Sequence, residues 1–259
     1  MAHSNERTLA APEPPSEWRA IWLIGKRAAI ESLQDSMTMF VNATFALAVP
    51  VLVVFGVVRP AVAHATTPDG RAALAATLAT YLLIVGLFPA SGSVGIASGV
   101  FAGEKQQGNL APLLATPASN LSIFMGKVLG SILPTLLYTA IAEIAFVLEA
   151  ALVAGADIWP LVPASLALSM LALVPAIAIF GAAVASVISS RVSTYNTATT
   201  LASLALVPLS GTLLGLAFTM PAWASWARFL AVAVVLAIDL GIVVVGAATW
   251  RREEVLARL

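Results

Sequence analysis

The feature that most limits what this chain can become is a succession of apolar runs, near 38–58, 74–100, 122–152, 161–188, 195–218 and 229–249, nearly empty of charge. A bilayer core about 30 Å thick takes about 20 apolar residues per helical crossing. Within it, backbone N–H and C=O groups are satisfied only in helices or closed barrels. The runs are continuous rather than alternating, so helices are expected and barrel strands are not. Composition agrees, with 60% hydrophobic against 10% charged residues and a mean hydropathy of +0.96. The expected fold is an all-α integral membrane protein with six transmembrane helices.

Around these runs the chain divides by composition. Residues 1–17 are polar and Pro-rich and read as a disordered cytoplasmic tail. Over 18–36, Trp18, Ile21, Trp22, Ile24 and Ala28 or Ala29 face away from Arg19, Lys26, Arg27, Glu31 and Asp35, the pattern of an interfacial amphipathic helix with tryptophans at headgroup depth. The transmembrane domain covers 37–250, and 251–259 form a second cytoplasmic tail. The third and fourth runs exceed a straight crossing and contain Pro134 and Pro175, so tilting or kinking is expected. The stretch VPLSGTLLGLAFTMPAW (207–223) is poorly suited to one helix, which predicts an early end to the fifth crossing and a re-entrant segment before the last helix.

Charge orients the chain. With the amino terminus inside, the inner segments hold Arg7, Arg19, Lys26, Arg27, Lys105, Lys127, Arg191, Arg251, Arg252 and Arg258, and the outer loops hold Arg59, Arg71 and Arg228. Both termini are then cytoplasmic. The expected location is a cell (plasma or inner) membrane, and the Ala-rich composition suggests a bacterial source.

Several chemistries have little to work with. There is no cysteine, and the histidines, His3 and His64, lie outside the apolar runs, so no metal site and no catalytic residue is expected. The net charge of zero implies no nucleic-acid partner. No phosphate-binding loop of the Gly-x-x-x-x-Gly-Lys-Ser/Thr type occurs, so the chain holds no ATP in the usual way.

Between the second and third runs lies a polar cassette, GEKQQGNLAPLLATPASNLSIFMGK (103–127). Glu104, Lys105, Gln106, Gln107 and Asn109 are its outward-facing candidates. Gly103 and Gly108 permit sharp turns, Asn109 is a helix cap, and Leu110, Leu113 and Leu114 recur at helical spacing. Pro112 falls in the first turn, where a missing N–H costs little, Thr116-Pro117 ends the helix, and Ser119 or Asn120 caps the next.

The order of elements here resembles the central signature of the type-2 permease family of ATP-binding-cassette (ABC) transporters: Glu104 and Lys105, Gly108, Leu110, Leu113 and Leu114, Thr116 and Pro117, then Gly126 and Lys127. IGKRAAIESLQDSMTMF and the following run with Pro50 are similar to the family's amino-terminal helix and first span, so the resemblance covers roughly 18–252. The chain departs from the pattern at Gln106, Asn109, Ala111 and Pro112. The resemblance implies that segment 103–121 carries a coupling helix that docks, with the amino-terminal helix, on a separate cytoplasmic ATPase subunit holding ATP and Mg. The coupling residues would be Glu104, Lys105, Gly108, Asn109, Leu110, Leu113, Leu114, Thr116 and Pro117. A second permease copy would complete a homodimer, which exports an amphiphilic or hydrophobic compound (drug, antibiotic or lipid-like).

Polar residues inside the runs are the candidates for the path. The fifth opens STYNTATTLAS (193–203), and the resemblance implies that Asn196, Thr197, Thr200 and Ser203 line the transport route; small hydroxyl residues equally serve close helix packing. Glu143, Glu149 and Asp239 lie in the third and sixth runs, and a carboxylate there costs about 2.5–3.5 kcal/mol on insertion scales, so Glu143 and Asp239 are candidates for substrate or proton handling. The bland alternative is protonation or hydrogen bonding to neighbouring helices. Two other classes stay open: an intramembrane enzyme using the Glu143 and Asp239 carboxylates, and an ATP-independent channel or secondary transporter.

Overall fold

The computed structural model describes residues 16–252. The tails expected over 1–17 and 251–259 lie almost wholly outside that range. Among the described residues every element is helical. In chain order they are α1 (Glu17–Gln34), α2 (Ser36–His64), α3 (Pro68–Gln106), α4 (Leu110–Leu114), α5 (Asn120–Ala154), α6 (Ala164–Arg191), α7 (Tyr195–Thr219) and α8 (Ser225–Thr249). Five of them, α2, α3, α5, α6 and α8, are long and apolar enough to cross a membrane. The chain is a multi-pass membrane protein. The remaining expected crossing, at 195–218, is the helix α7, which is not among those five.

Polar caps set the helix starts. Asp35, Thr67, Ser119 and Thr194 each accept a first-turn N–H, from Thr38 (3.2 Å), Gly70 (3.1 Å), Ser122 (3.0 Å) and Thr197 (3.3 Å). Asp35 also accepts from the Thr38 hydroxyl, which holds its carboxyl below the usual carboxylate range.

Pro134, Pro175 and Pro208 lie inside α5, α6 and α7, and all three helices run on through them. The early end expected within 207–223 therefore does not occur. Helix α7 continues to Thr219, and a single 3-10 turn, Met220–Ala222, separates it from α8. A proline removes one intrahelical bond. Ending the helix there would orphan several backbone groups where lipid offers them no partner. Pro50 is followed by a π-helical turn at Val54–Val58, and a second π-helical turn, Gly99–Gly103, lies in the last third of α3.

Helices α3, α5 and α6 form the centre of the bundle, with Leu78, Leu82 and Leu83 packed among Phe146, Met170 and Leu173. Helix α2 lies against α5 and α3, α8 against α6 and α5, and α7 against α6 and α3.

Helix α1 packs along the opening turns of α5 through small residues. Its buried face is Ala20, Gly25, Ala28 and Ala29, while Trp18 (72% exposed) and Trp22 (48%) point away. The apolar side expected from the sequence thus divides in two, with small residues touching protein and tryptophans left for the bilayer interface. The contact is close because Gly126 and Gly130 of α5 leave room for it. A Cβ on Gly126 would stand 2.7 Å from Ile24 Cβ, and one on Gly130 would stand 2.5 Å from Ala28 Cβ and 2.9 Å from Gly25 O.

Candidate functional site

The cassette closes one end of the bundle. Helix α3 stops at Gln106 by a Schellman motif: the Asn109 N–H donates to Glu104 O (2.9 Å), the Gly108 N–H donates to Lys105 O (3.1 Å), and Gly108 has φ +73°. The turn at Gly108 is the one expected. The turn expected at Gly103 is absent, since Gly103 lies inside the helical run. Asn109 Nδ2 donates to Gln107 Oε1 (3.1 Å), so its amide is engaged within the turn. Helix α4 follows, with Leu110 and Leu114 buried and Leu113 half-buried in a cluster with Val100, Ile123 and Val128. Thr116 ends it, its hydroxyl donating to Leu113 O (2.7 Å), and Pro117 is exposed beyond. Phe101, Phe124 and Trp250 stack beneath at 5.5–6.4 Å between ring centroids.

The charged pair does not face outward as expected. Glu104 meets Lys127 of α5 at 2.5 Å, with the lysine side chain 2% exposed and the glutamate 21%. Lys127 Nζ also donates to Val100 O (2.9 Å) and stands 5.6 Å from the centroid of the Phe101 ring. Lys105 Nζ donates to Ser190 O (2.6 Å) and Val192 O (3.1 Å) at the carboxyl end of α6, where carbonyls and the helix dipole favour a cation. Both charges sit in the last turn of α3, within bonding distance of these partners. Exposed in the cassette are Gln106, Gln107, Gly108, Asn109, Pro112, Ala115, Pro117 and Leu121, all uncharged.

Three further ties complete the end. Gln106 Oε1 accepts from the N–H of Tyr195 (3.2 Å), joining α3 to the start of α7. Ser189 Oγ accepts from Ala102 N–H (2.9 Å) and donates to Ser98 O (2.9 Å), bridging the π-helical turn of α3 to α6. Arg252, just past α8, donates to Leu114 O and Thr116 O (both 3.2 Å), to Ala118 O, and to Asn120 Oδ1 (2.7 Å). The Tyr195 side chain lies along Gly95, Gly99 and Gly103, its hydroxyl 3.4 Å from where a Gly95 Cβ would be and its ring 3.9 Å from those of Gly99 and Gly103.

The proposed path residues separate into two groups. Asn196, Thr197, Thr200 and Ser203 are exposed on α7, and Asn196, Thr200 and Ser203 share one face that points out of the bundle. The two carboxylates are turned inward instead. Asp239 is 3% exposed on the inner face of α8, with both oxygens buried and without a hydrogen-bond partner among the described residues. Glu143 points its Oε1 toward Gly86 and Val174, also without a partner, as is Oε2 of Glu149. The structure therefore does not bring Asp239 to the exposed polar face of α7. Among the described residues no three His, Cys, Asp or Glu side chains converge as a metal cluster would require.

Arg252, Ser189 and Tyr195 were missed as site residues. Lys127 carried a signal, a lysine shortly inside an apolar run, whereas the others had none that spacing alone reveals. A comparison with family models finds no match for the chain, and a comparison with curated proteins likewise finds none.

Proposed function

We propose that the chain is the permease subunit of an ATP-driven ABC exporter. In this reading it has six crossings, α7 included, with both termini and the cassette in the cytoplasm. Two copies pair with two copies of a separate ATPase. They move an amphiphilic or hydrophobic compound along a path lined in part by Asn196, Thr197, Thr200 and Ser203.

One observation carries the reading: the cassette tip is exposed and uncharged, yet its base is tied to α5, α6, α7 and the chain after α8. An ordinary loop needs only to satisfy its own helix ends. Here a push on Gln107, Asn109 or Pro112 is delivered to α5 through Glu104 and Lys127, to α6 through Lys105, and to α7 through Gln106. ATP-driven closure of a docked ATPase supplies such a push. The exposed stripe on α7 adds support, because hydroxyl and amide groups on an outer helix face are costly against lipid and favour cover by a second copy or a water-filled route.

The test is photo-crosslinking from position 109 in native membranes, with Asn109 replaced by a photoreactive residue. Capture of an ATPase, lost on Glu104→Gln, is the expected result, and Arg252→Ala is expected to keep capture while lowering ATP-dependent transport. No capture by a folded, cytoplasmically accessible probe refutes the reading.

A further inference from the structure

Within α3 the π-helical turn Gly99–Gly103 is held open by side chains of two other helices. The Glu104 N–H donates to Gly99 O, five residues back, and to Phe101 O. Val100 O, its acceptor in an α-helix, takes the Lys127 ammonium of α5 instead (2.9 Å). Ala102 N–H and Ser98 O are a second pair that an α-helix would join. The Ser189 hydroxyl of α6 stands between them, accepting from the one and donating to the other at 2.9 Å each. The π-helical turn of α2 follows a proline of its own helix, Pro50, whereas this turn reads GVFAG and takes its extra bonds from outside its helix.

A π-helical turn takes up about one residue more than the α-helical turn it replaces. Closing it to the α form would rotate the chain beyond it by about 100°, the angle of one residue. Glu104, Lys105 and Gln106 follow at once, so their bonds to Lys127, Ser190 and Tyr195 belong to the π form. The glycine side of the turn does not oppose such a rotation. Where Cβ atoms would stand on Gly99 and Gly103, the Tyr195 ring at 3.9 Å is the only neighbour from another element within 4 Å. Ser98, Ala102 and Ser189 are all fully buried. With the Ser189 hydroxyl withdrawn, Ala102 N–H and Ser98 O lie away from water, and the α-helical bond between them is the nearest way to satisfy both.

We propose that Gly99–Gly103 is a two-register turn at the base of the cassette, set in its π register by the Ser189 hydroxyl and the Lys127 ammonium and closing to an α register when either lets go. Ser189 and Lys127 are positioning residues in this device: they decide which way the cassette faces. The inference stands apart from the transport reading, because both registers belong to the chain alone.

The experiment places spin labels at Arg19→Cys on α1 and Gln107→Cys in the cassette of the full chain, which has no other cysteine, and measures their separation by double electron–electron resonance in lipid nanodiscs. A group about 5–6 Å from a helix axis moves by about 8 Å when the helix turns through about 100°. One separation is expected in the otherwise unchanged chain and, in Ser189→Ala, a second one displaced by up to about 8 Å. Deleting Ala102 from the Ser189→Ala chain removes the extra residue. The α form then carries the cassette in its original direction, and the first separation alone should return. A turn that had merely loosened would not be rescued by that deletion. Should Ser189→Ala not fold, Lys127→Met is expected to give the same second separation. An unchanged distribution in the variant that folds, or a broad one that the deletion leaves broad, overturns the proposal.

Discussion

The close seat of α1 on α5 makes Gly130→Ala a sharp test. The added Cβ would stand 2.5 Å from Ala28 Cβ, 2.9 Å from Gly25 O and 3.3 Å from Ala29 N. These are backbone atoms and an alanine Cβ, none of which rotates away. Restoring carbon–carbon contact to about 3.5 Å requires α1 to move by about 1 Å. Overpacking of this kind costs about 1–3 kcal/mol, and the rigid neighbours place this site at the upper end. Gaining alanine's helix propensity returns about 1 kcal/mol, so the expected net loss is about 2 kcal/mol. Gly241 of α8 supplies the control, because a Cβ there meets nothing within 4 Å. The same substitution at that position should stabilise, by up to about 1 kcal/mol. Reversible unfolding in detergent measures both. The chain has no cysteine, so a single Ala20→Cys on the buried face of α1 reports maleimide access as α1 lifts. If both alanine variants shift stability in the same direction and the cysteine stays protected, the close approach of α1 and α5 is refuted.

Two other outcomes follow from the polar contacts. For the Glu104–Lys127 pair the cost should be one-sided: Glu104→Gln strands a buried ammonium and should cost about 3–5 kcal/mol, whereas Lys127→Met strands a carboxylate that reaches solvent and should cost less. The double variant should be more stable than Glu104→Gln alone, and a double-mutant cycle showing simple additivity contradicts the pairing. The Asp35 carboxyl is depressed by its Thr38 bonds, so its contribution is present above the unfolded value of about 3.9 and is lost as pH falls through the folded one. Amide exchange at Met37 and Thr38 should therefore quicken below that range. Asp35→Asn, which keeps a capping side chain, should show no such pH dependence.

How far the sequence alone reached depended on range. Apolar runs marked five of the crossings because burial in lipid is written in consecutive residues, and Ser119 and Gly108 marked ends because capping is local. The inward turn of Glu104 and Lys105 was not legible, since it depends on a lysine and on helix-end carbonyls distant in the chain. Charge at the edge of an apolar run looks the same whether it faces water or a buried partner. Arg228, buried at the start of α8, reads as an outer-loop charge for that reason. The small-residue face of α1 was readable only together with its counterpart in GKVLG (126–130), where the two glycines recur one helical turn apart. The polar opening of α7 was visible as composition, but which way it faces was not, and nothing local indicated that Asp239 would be turned into the bundle.

The burial of Lys127 has a consequence for biosynthesis. During translation Glu104 leaves the ribosome before Lys127, on a different helix, so the partner is already made when the lysine emerges but the two must still be brought together by folding. Its charge is compensated only once the hairpin of α3 and α5 has closed around the cassette. The links at that end therefore form only after both helices are in place, and a cassette that folds late delays the settling of the third crossing.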